Sequence, residues 1–454
     1  MKNLIQTIRN IFKIEDLRTR IINTLFFLLI YRLGTHIVLP GVDPEKLAGL
    51  QNQTSGGSVL GLLDMFSGGA FSHSSIFALG IMPYISASIV IQLMSIAVPY
   101  FQKMQKEGES GRKRINNITR WLTVVICAFQ APGYIVNLNA QVPNAIISIT
   151  NPELVAPFTF WFTSIVILVA GTIFVMWLGE RITDKGLGNG ISLIIMVGII
   201  ARLPQAFRDE VLSRANANGG MVVLLLELVA LGAVIAFSIL LVQGTRRIPV
   251  NFAKKIVGNK QYGGVRQYIP LKVNAAGVMP IIFAQAIMFI PATIAQFFPE
   301  SAASQGVLST FGNFTSFWYN FVFATLIILF TYFYTAIAVN ANQMADDMKR
   351  NNGFIPGIKP GRSTSEFIDD VISKITLPGS IFLAIIAILP TFALLLNVNN
   401  NFAHFYGGTS LLILVGVVLD TLQQIESHLL MRHYDGLMKS GKIKGRSTQV
   451  ASAV

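Results

Sequence analysis

Apolar residues along this chain gather into windows of about twenty, and a helix of that length crosses the roughly 30 Å hydrocarbon core of a bilayer. The pattern predicts ten spans, at 21–39, 76–98, 119–137, 157–178, 190–206, 221–242, 275–297, 317–339, 376–396 and 409–431. One apolar stretch is too short to cross. Gly61 to Ser72 would extend about 18 Å as a helix, which predicts a re-entrant or interfacial helix hung before the second span.

The spans divide five and five. Span 2 carries Ala78-Leu79-Gly80-Ile81-Met82-Pro83, and span 7, second in its own half, carries Ala275-Ala276-Gly277-Val278-Met279-Pro280. With an odd number of spans per half the second copy runs in the opposite direction. Gly/Pro-interrupted helices at matching positions are expected of inverted-topology repeats, although Gly and Pro are also frequent in ordinary membrane helices. The expected fold class is an all-α polytopic membrane protein of ten transmembrane helices in two pseudo-symmetric, inverted five-helix halves, with a short re-entrant helix. The expected division is an N-terminal segment 1–20, a first half 21–206, a connector 207–220, a second half 221–431 with loops at 244–274 and 340–375, and a tail 432–454.

Composition agrees with a membrane chain: 52% of residues are hydrophobic and 13% charged, against about 25% charged in soluble domains. The net charge of +13 matters through its placement. Of 35 Lys and Arg, thirty fall in the N-terminal segment, the 2–3, 4–5, 6–7 and 8–9 connections and the tail. The opposite connections hold Lys46, Arg202, Arg208 and Arg214, and Arg32 lies within span 1. Positive charge accumulates on the cytoplasmic side, so both termini are expected there. The four tryptophans, Trp121, Trp161, Trp177 and Trp318, fall near span ends, where amphipathic rings favour the interface. The first twenty residues hold five Lys/Arg and no small-residue cleavage site before the apolar run, which reads as a retained segment rather than a signal peptide.

Candidate chemistry is sparse. Gly436 to Lys442 fits the spacing of a phosphate loop, but Ile443 stands where Mg²⁺ needs a hydroxyl. Gly186 to Gly190 is glycine-rich but opens a membrane helix without a βαβ setting. Single Cys127 and five histidines without ligand spacing predict neither disulfide nor metal. No enzyme, catalytic residue or cofactor is expected. Arg32, Glu227 and Asp420 are charges inside spans: the first two lie toward outer halves, where snorkelling or a surface partner is expected, and Asp420 sits mid-span without a second carboxylate nearby. The 6–7 loop interleaves Arg246, Arg247, Lys254, Lys255, Lys260, Arg266 and Lys272 with Phe252, Tyr262 and Tyr268, which suits a partner with a phosphate backbone or an acidic face.

Six motifs in order carry a resemblance over essentially the whole length: GIMPYISAS from Gly80, GLGNGIS from Gly186, RRIPV from Arg246, PLKVNAAGVMP from Pro270, ADDMKRNNGFIPGIKPG from Ala345 and GGTSLLILVGVVLDT from Gly407. The chain resembles the SecY family, channel subunits of the bacterial-type Sec translocon. That resemblance implies a clamshell of two halves around an hourglass pore, with Gly61 to Ser72 as a plug that includes Leu62, Leu63, Met65, Phe66, Gly68, Gly69 and Phe71. It implies a pore ring of Ile81, Ile85, Ile191, Ile195, Ile282 and Ile413, and a lateral gate that includes Pro83, Ser86, Ser88, Gln92, Asn274 and Pro280. It also implies docking residues Arg246, Arg247 and Lys359 at the tips of the 6–7 and 8–9 loops. Family members usually carry arginine where Lys359 stands, and lysine lacks the planar bidentate fork. The implied partners are SecE-like and SecG-like small membrane subunits, the SecA motor ATPase, the ribosome, signal sequences and nascent chains, and lipid. The implied location is the bacterial plasma (inner) membrane. Two rival readings are an ion-coupled transporter that depends on Asp420 and a membrane-embedded assembly factor without a pore.

Overall fold

A computed structural model describes residues 14–47, 59–142, 145–147, 156–215, 220–252, 255–257, 260–262, 266–296, 306–307, 310–312 and 314–439. Helix α1 (Glu15–Gly34) is followed by the short α2 (Val59–Phe66), then α3 (Met82–Ala97) and α4 (Pro99–Lys106). Next come α5 (Glu109–Gln141), α6 (Pro157–Lys185), α7 (Gly190–Ala215) and α8 (Gly220–Gln243). Strands β1 (Thr245–Phe252), β2 (Lys255–Val257), β3 (Lys260–Tyr262) and β4 (Arg266–Lys272) precede α9 (Met279–Gln296) and α10 (Phe317–Ala338). The chain closes with α11 (Ala341–Arg350), β5 (Gly353–Phe354), α12 (Arg362–Leu395), α13 (Asn400–Ala403) and α14 (Gly408–Lys439).

Each predicted span meets a helix, with shifted ends. Seven helical stretches are long and apolar enough to cross a membrane among the described residues. The exceptions are α1, whose first turns and last turn are charged, the bent pair α3–α4, which turns by 99°, and α9, apolar but short at Met279–Pro291. The bend has a cause in Pro99, which has no N–H to continue the helix and disfavours helical backbone at Val98, found extended at φ −109° and ψ 121°.

Three expected boundaries change. Span 1 ends at Gly34 rather than Leu39, because residues 37–39 pair with 74–76 instead: Leu39 N–H donates to Ser74 O (2.8 Å) and Ile76 N–H to Ile37 O (3.0 Å). That pairing pins both feet of the loop that carries α2. The connector expected at 207–220 is helical as far as Ala215. Its charges are what hold it: Arg214 bonds Glu210 (2.8 Å) and Glu227 at the start of α8 (2.6 Å), and Asn399 N–H donates to Glu210 (2.8 Å). The tail is helical to Lys439; residues 440–454 and 1–13 lie outside the described residues.

The membrane-spanning class is all-α as expected, and one connection between spans adds a small sheet. The 6–7 connection is a hairpin in which β1 pairs antiparallel with β4, Thr245 opposite Lys272 and Val250 opposite Gln267, and β5 adds to the outer end of β1. Period-two alternation explains it: Ile248 and Val250 are buried while Arg247 is exposed. They pack with Leu271, Met348, Ile355 and Ile368 into a small core of their own.

Helices α3, α5, α6 and α7 pack in sequence and α1 lies on α6 and α7. On the other side α9 packs on α10, α10 on α12, α12 on α14, and α8 lies against α12 and α14. The two groups meet where α3 and α5 touch α9 and where α7 touches α8 and α14. The six-residue echo has a backbone counterpart. Gly80 and Gly277 both adopt left-handed backbone (φ 58° and 65°), and each is followed by a helix that begins at methionine with proline second. A Cβ is disfavoured at such φ, and a proline at the start forfeits only an N–H that has no helical partner.

A short helix and the isoleucines of its cluster

Helix α2 is shorter than the twelve residues expected. Its backbone stops at Phe66 because Gly69 N–H donates to Asp64 O (2.8 Å) and Gly68 N–H to Met65 O (3.1 Å), with Gly68 left-handed at φ 68°. That is a Schellman cap, and residues 67–81 continue as turns. The glycine has a second role. A Cβ on Gly198 of α7 would lie 2.6 Å from Phe66 O and 3.1 Å from Gly68 N, so backbone meets backbone there without side chains between.

The seat is polar on its outer side. From α1, the Tyr31 hydroxyl donates to Ser67 O (3.1 Å) and Arg32 donates to Gly68 O (2.6 Å). From α7, Arg202 pairs with the Asp64 carboxylate and donates to Ser72 Oγ (2.8 Å). Asp64 also accepts from Ser72 N–H (2.7 Å). Burial pushes the Asp64 carboxyl up, and the Arg202 guanidinium and the Ser72 bonds pull it back. Arg32, for which snorkelling or a surface partner was expected, thus holds the loop that follows α2. Asp64 and Arg202 were missed as a pair. The available signals were one acid in an otherwise apolar segment and one of four basic residues on the sparse side.

The inner side is apolar. Ile81, Ile85, Ile195, Ile282 and Ile413 are buried in one cluster with Met65 and Phe66, and Ile191 packs against it half-buried. Ser410 of α14 donates to Met65 Sδ (3.6 Å). Ile81 stands at the N-cap of α3 and Ile85 N–H donates to its carbonyl (3.1 Å), so the pair lies one turn apart on the same side. Phe71 departs from the others. It lies in a second cluster, edge-on to Tyr134 with centroids 5.0 Å apart. Leu62 and Leu63 belong to α2, and their side chains lie outside the described residues.

A model of the SecY family matches residues 75–422. A Streptomyces scabiei relative named protein translocase subunit SecY is 42% identical over 437 residues, covering 94% of this chain and 98% of its own length. The chain belongs to the SecY family. A Thermotoga maritima relative of the same name is 40% identical, covering 97% of this chain and 99% of its own. Among solved structures, a protein conducting channel covers 90% of this chain and 92% of its own at TM-score 0.61 and 16% identity. Sec61 in a canine ribosome-channel complex gives TM-score 0.58 at 15% identity, with the same coverages. Both likenesses are of fold.

The residues that SecY resemblance assigns to a gate lie along α3, just before α9 and at its start. Pro83, Pro280 and Asn274 are buried, Ser86 and Ser88 half-buried. Gln92 accepts from the Tyr334 hydroxyl of α10 and donates to Ser88 Oγ (2.9 Å), so one hydrogen-bonded chain spans from α3 to α10. Asn274 Nδ2 donates to Gly277 O (3.0 Å) and its buried Oδ1 has no partner among the described residues.

Arg246 and Arg247 are exposed, but they stand at the foot of β1, opposite Leu271 and Pro270, and not at the hairpin tip. The strand explains this, since pairing with β4 sets the register of the RRIPV residues. Lys359 is exposed in the turn before α12, which borders the same small core through Ile355 and Ile358. Asp420 is exposed in α14, three residues before Gln423, whose Oε1 accepts from Lys272 of β4 (3.5 Å). It faces the foot of the sheet, not a sequestered path between helices. Glu227, for which snorkelling or a surface partner was expected, pairs with Arg214 (2.6 Å).

His404, in the connection from α13 to α14, is buried against Phe314 with ring centroids 4.6 Å apart, and burial lowers its pKa to about 4. An unfolded histidine takes a proton near pH 6.5, so between pH 6.5 and about 4 only the unfolded chain gains it and stability falls with pH. The thermal midpoint of the purified protein is expected to drop over that window, and His404→Asn to flatten the drop. An equally steep slope in the variant would assign the acid sensitivity elsewhere.

Proposed function

We propose that this chain is the central channel subunit of a Sec protein translocase. It passively conducts unfolded secretory polypeptides across the plasma membrane and releases transmembrane helices sideways into lipid. The single observation that carries the reading is that Ile81, Ile85, Ile195, Ile282 and Ile413, from α3 with its N-cap, α7, α9 and α14, share one buried cluster with Met65 and Phe66 of a short, non-spanning helix. A ring of branched apolar side chains excludes water and ions by dewetting and offers a passing chain nothing to bind. The short helix fills it at rest. On this reading the two packing groups are inverted halves, α3 and α9 part toward lipid, and the Lys/Arg-rich connections lie in the cytoplasm with both termini.

Work comes from outside the chain. The exposed Arg246, Arg247 and Lys359 suit the ribosome or the SecA ATPase, and the family's ribosome-bound channel relatives support that assignment. The apolar outer faces of α1 and α8 suit lipid and small subunits of the SecE and SecG kind. The exposed place of Asp420 weighs against an ion-coupled transporter. Site-directed crosslinking tests the channel. In a Cys127→Ala background, an arrested secretory chain is expected to crosslink to cysteines introduced singly at Ile81, Ile191, Ile282 and Ile413. Secretion that proceeds with no crosslink at any of the four would overturn the reading.

A further inference from the structure

The plug seat is held from two helices by bonds of different kinds. α1 reaches only carbonyl oxygens, those of Ser67 and Gly68. α7 supplies the charged bond, Arg202 to a carboxylate that is wholly buried. The same helix carries Ile191 and Ile195, the latter about 10 Å along the axis from Arg202, with Gly198 and its backbone contact to the plug in between. A displacement of α7 away from α1 therefore moves two ring residues, the Gly198 contact and the guanidinium together.

The energetics are asymmetric. A buried carboxylate is tolerated while paired, and removing its partner leaves an uncompensated charge that is costly to keep out of water. Arg202 itself is partly exposed and reaches solvent without Asp64. Beside the pair lies a polar cavity of about 240 Å³, lined among others by Arg32, Gly68, Ser72, His73 and Asp209, into which the plug's outer turns face.

We infer that Asp64 and Arg202 form an electrostatic latch that holds the plug when closed and, once α7 withdraws the guanidinium, drives the plug out of its seat through the unpaired carboxylate. The inference rests on the channel reading above and adds a cause for the plug's departure. Asp64 acts as a positioning residue whose charge favours both end states, paired in the seat or hydrated in the cavity. It disfavours what lies between.

The latch makes a prediction that a passive contact does not. Arg202→Gln strands the carboxylate, and the resting ion conductance of the purified complex in planar bilayers is expected to rise on the order of tenfold or more. Asp64→Asn removes both hold and push and is expected to raise it less. The double variant is expected to fall back to the Asp64→Asn level, one substitution suppressing the other. Arg202→Lys keeps the charge and is expected to stay near the parent. Parental conductance in Arg202→Gln, or a double variant as leaky as Arg202→Gln, would overturn the latch. If Arg202→Gln is not recovered folded, Asp64→Asn decides: conductance above the parent with secretion retained supports the latch, and parental conductance overturns it. A complex lacking residues 61–72 separates the two levels. If that complex leaks and Arg202→Gln does not, only the latch fails; if it does not leak, the plug has no sealing role.

Discussion

Complexes lacking residues 61–72 are expected to carry secretory chains at near-parental rates while conducting ions at rest, with conductance about an order of magnitude or more above the parent. The deletion removes Met65 and Phe66 from a cluster that retains Ile81, Ile85, Ile195, Ile282 and Ile413, with Ile191 packed against it, so on the proposed reading the constriction survives while its filling is lost. A ring without its stopper wets more readily. The feet of the loop, where 37–39 pair with 74–76, remain outside the deleted segment and keep α1 and α3 in place. Substrates with defective signal sequences are expected to pass more readily too, because less closed-state packing has to be given up. Unchanged conductance in reconstituted bilayers would count against sealing by this helix.

The second large effect is electrostatic and outside the membrane. Arg246→Glu together with Arg247→Glu is expected to weaken ribosome binding by about tenfold to a hundredfold at low salt, with the gap narrowing as salt rises, because phosphate contacts carry a counterion-release dependence. Both side chains are exposed, so the sheet should persist. Neighbouring strand residues point to opposite faces, which adds a sharper expectation: the single reversals should differ, since one partner surface cannot meet both faces equally. Parallel binding curves for mutant and parent across a salt titration would remove the docking assignment.

The spans were legible because burial in a bilayer demands uninterrupted apolar length, and that demand is local in sequence. The hairpin was written there as well, in the alternation of Ile248 and Val250 with Arg247, Pro249 and Asn251, but a twenty-residue window averages a period of two away. The end of α2 could have been read from Gly68-Gly69, since a left-handed glycine pair is a common helix stop. The polar seat could not. Asp64 and Arg202 are 138 residues apart and Arg32 and Gly68 are 36 apart, and nothing in a single sequence links such positions until packing brings α1 and α7 to either side of one loop. The isoleucines of the ring posed the same difficulty, because alone each is indistinguishable from a residue that faces lipid.

The seam between α3 and α9 has a thermodynamic consequence. Apart from Ser86, Ser88, Gln92 and Asn274 the side chains there are mostly apolar, so on the proposed gate reading separating them would exchange protein contacts for lipid ones, and the hydrophobic effect would supply little restoring force. Dispersion packing holds the seam, and the hydrogen bond from Tyr334 of α10 to Gln92 of α3 adds a polar tie beside it. On that reading, an apolar guest helix that enters would replace methyl groups with methyl groups. The seam then behaves like a partition column with a nearly neutral stationary phase, on which retention is set by the length and polarity of the guest and hardly at all by affinity for the wall.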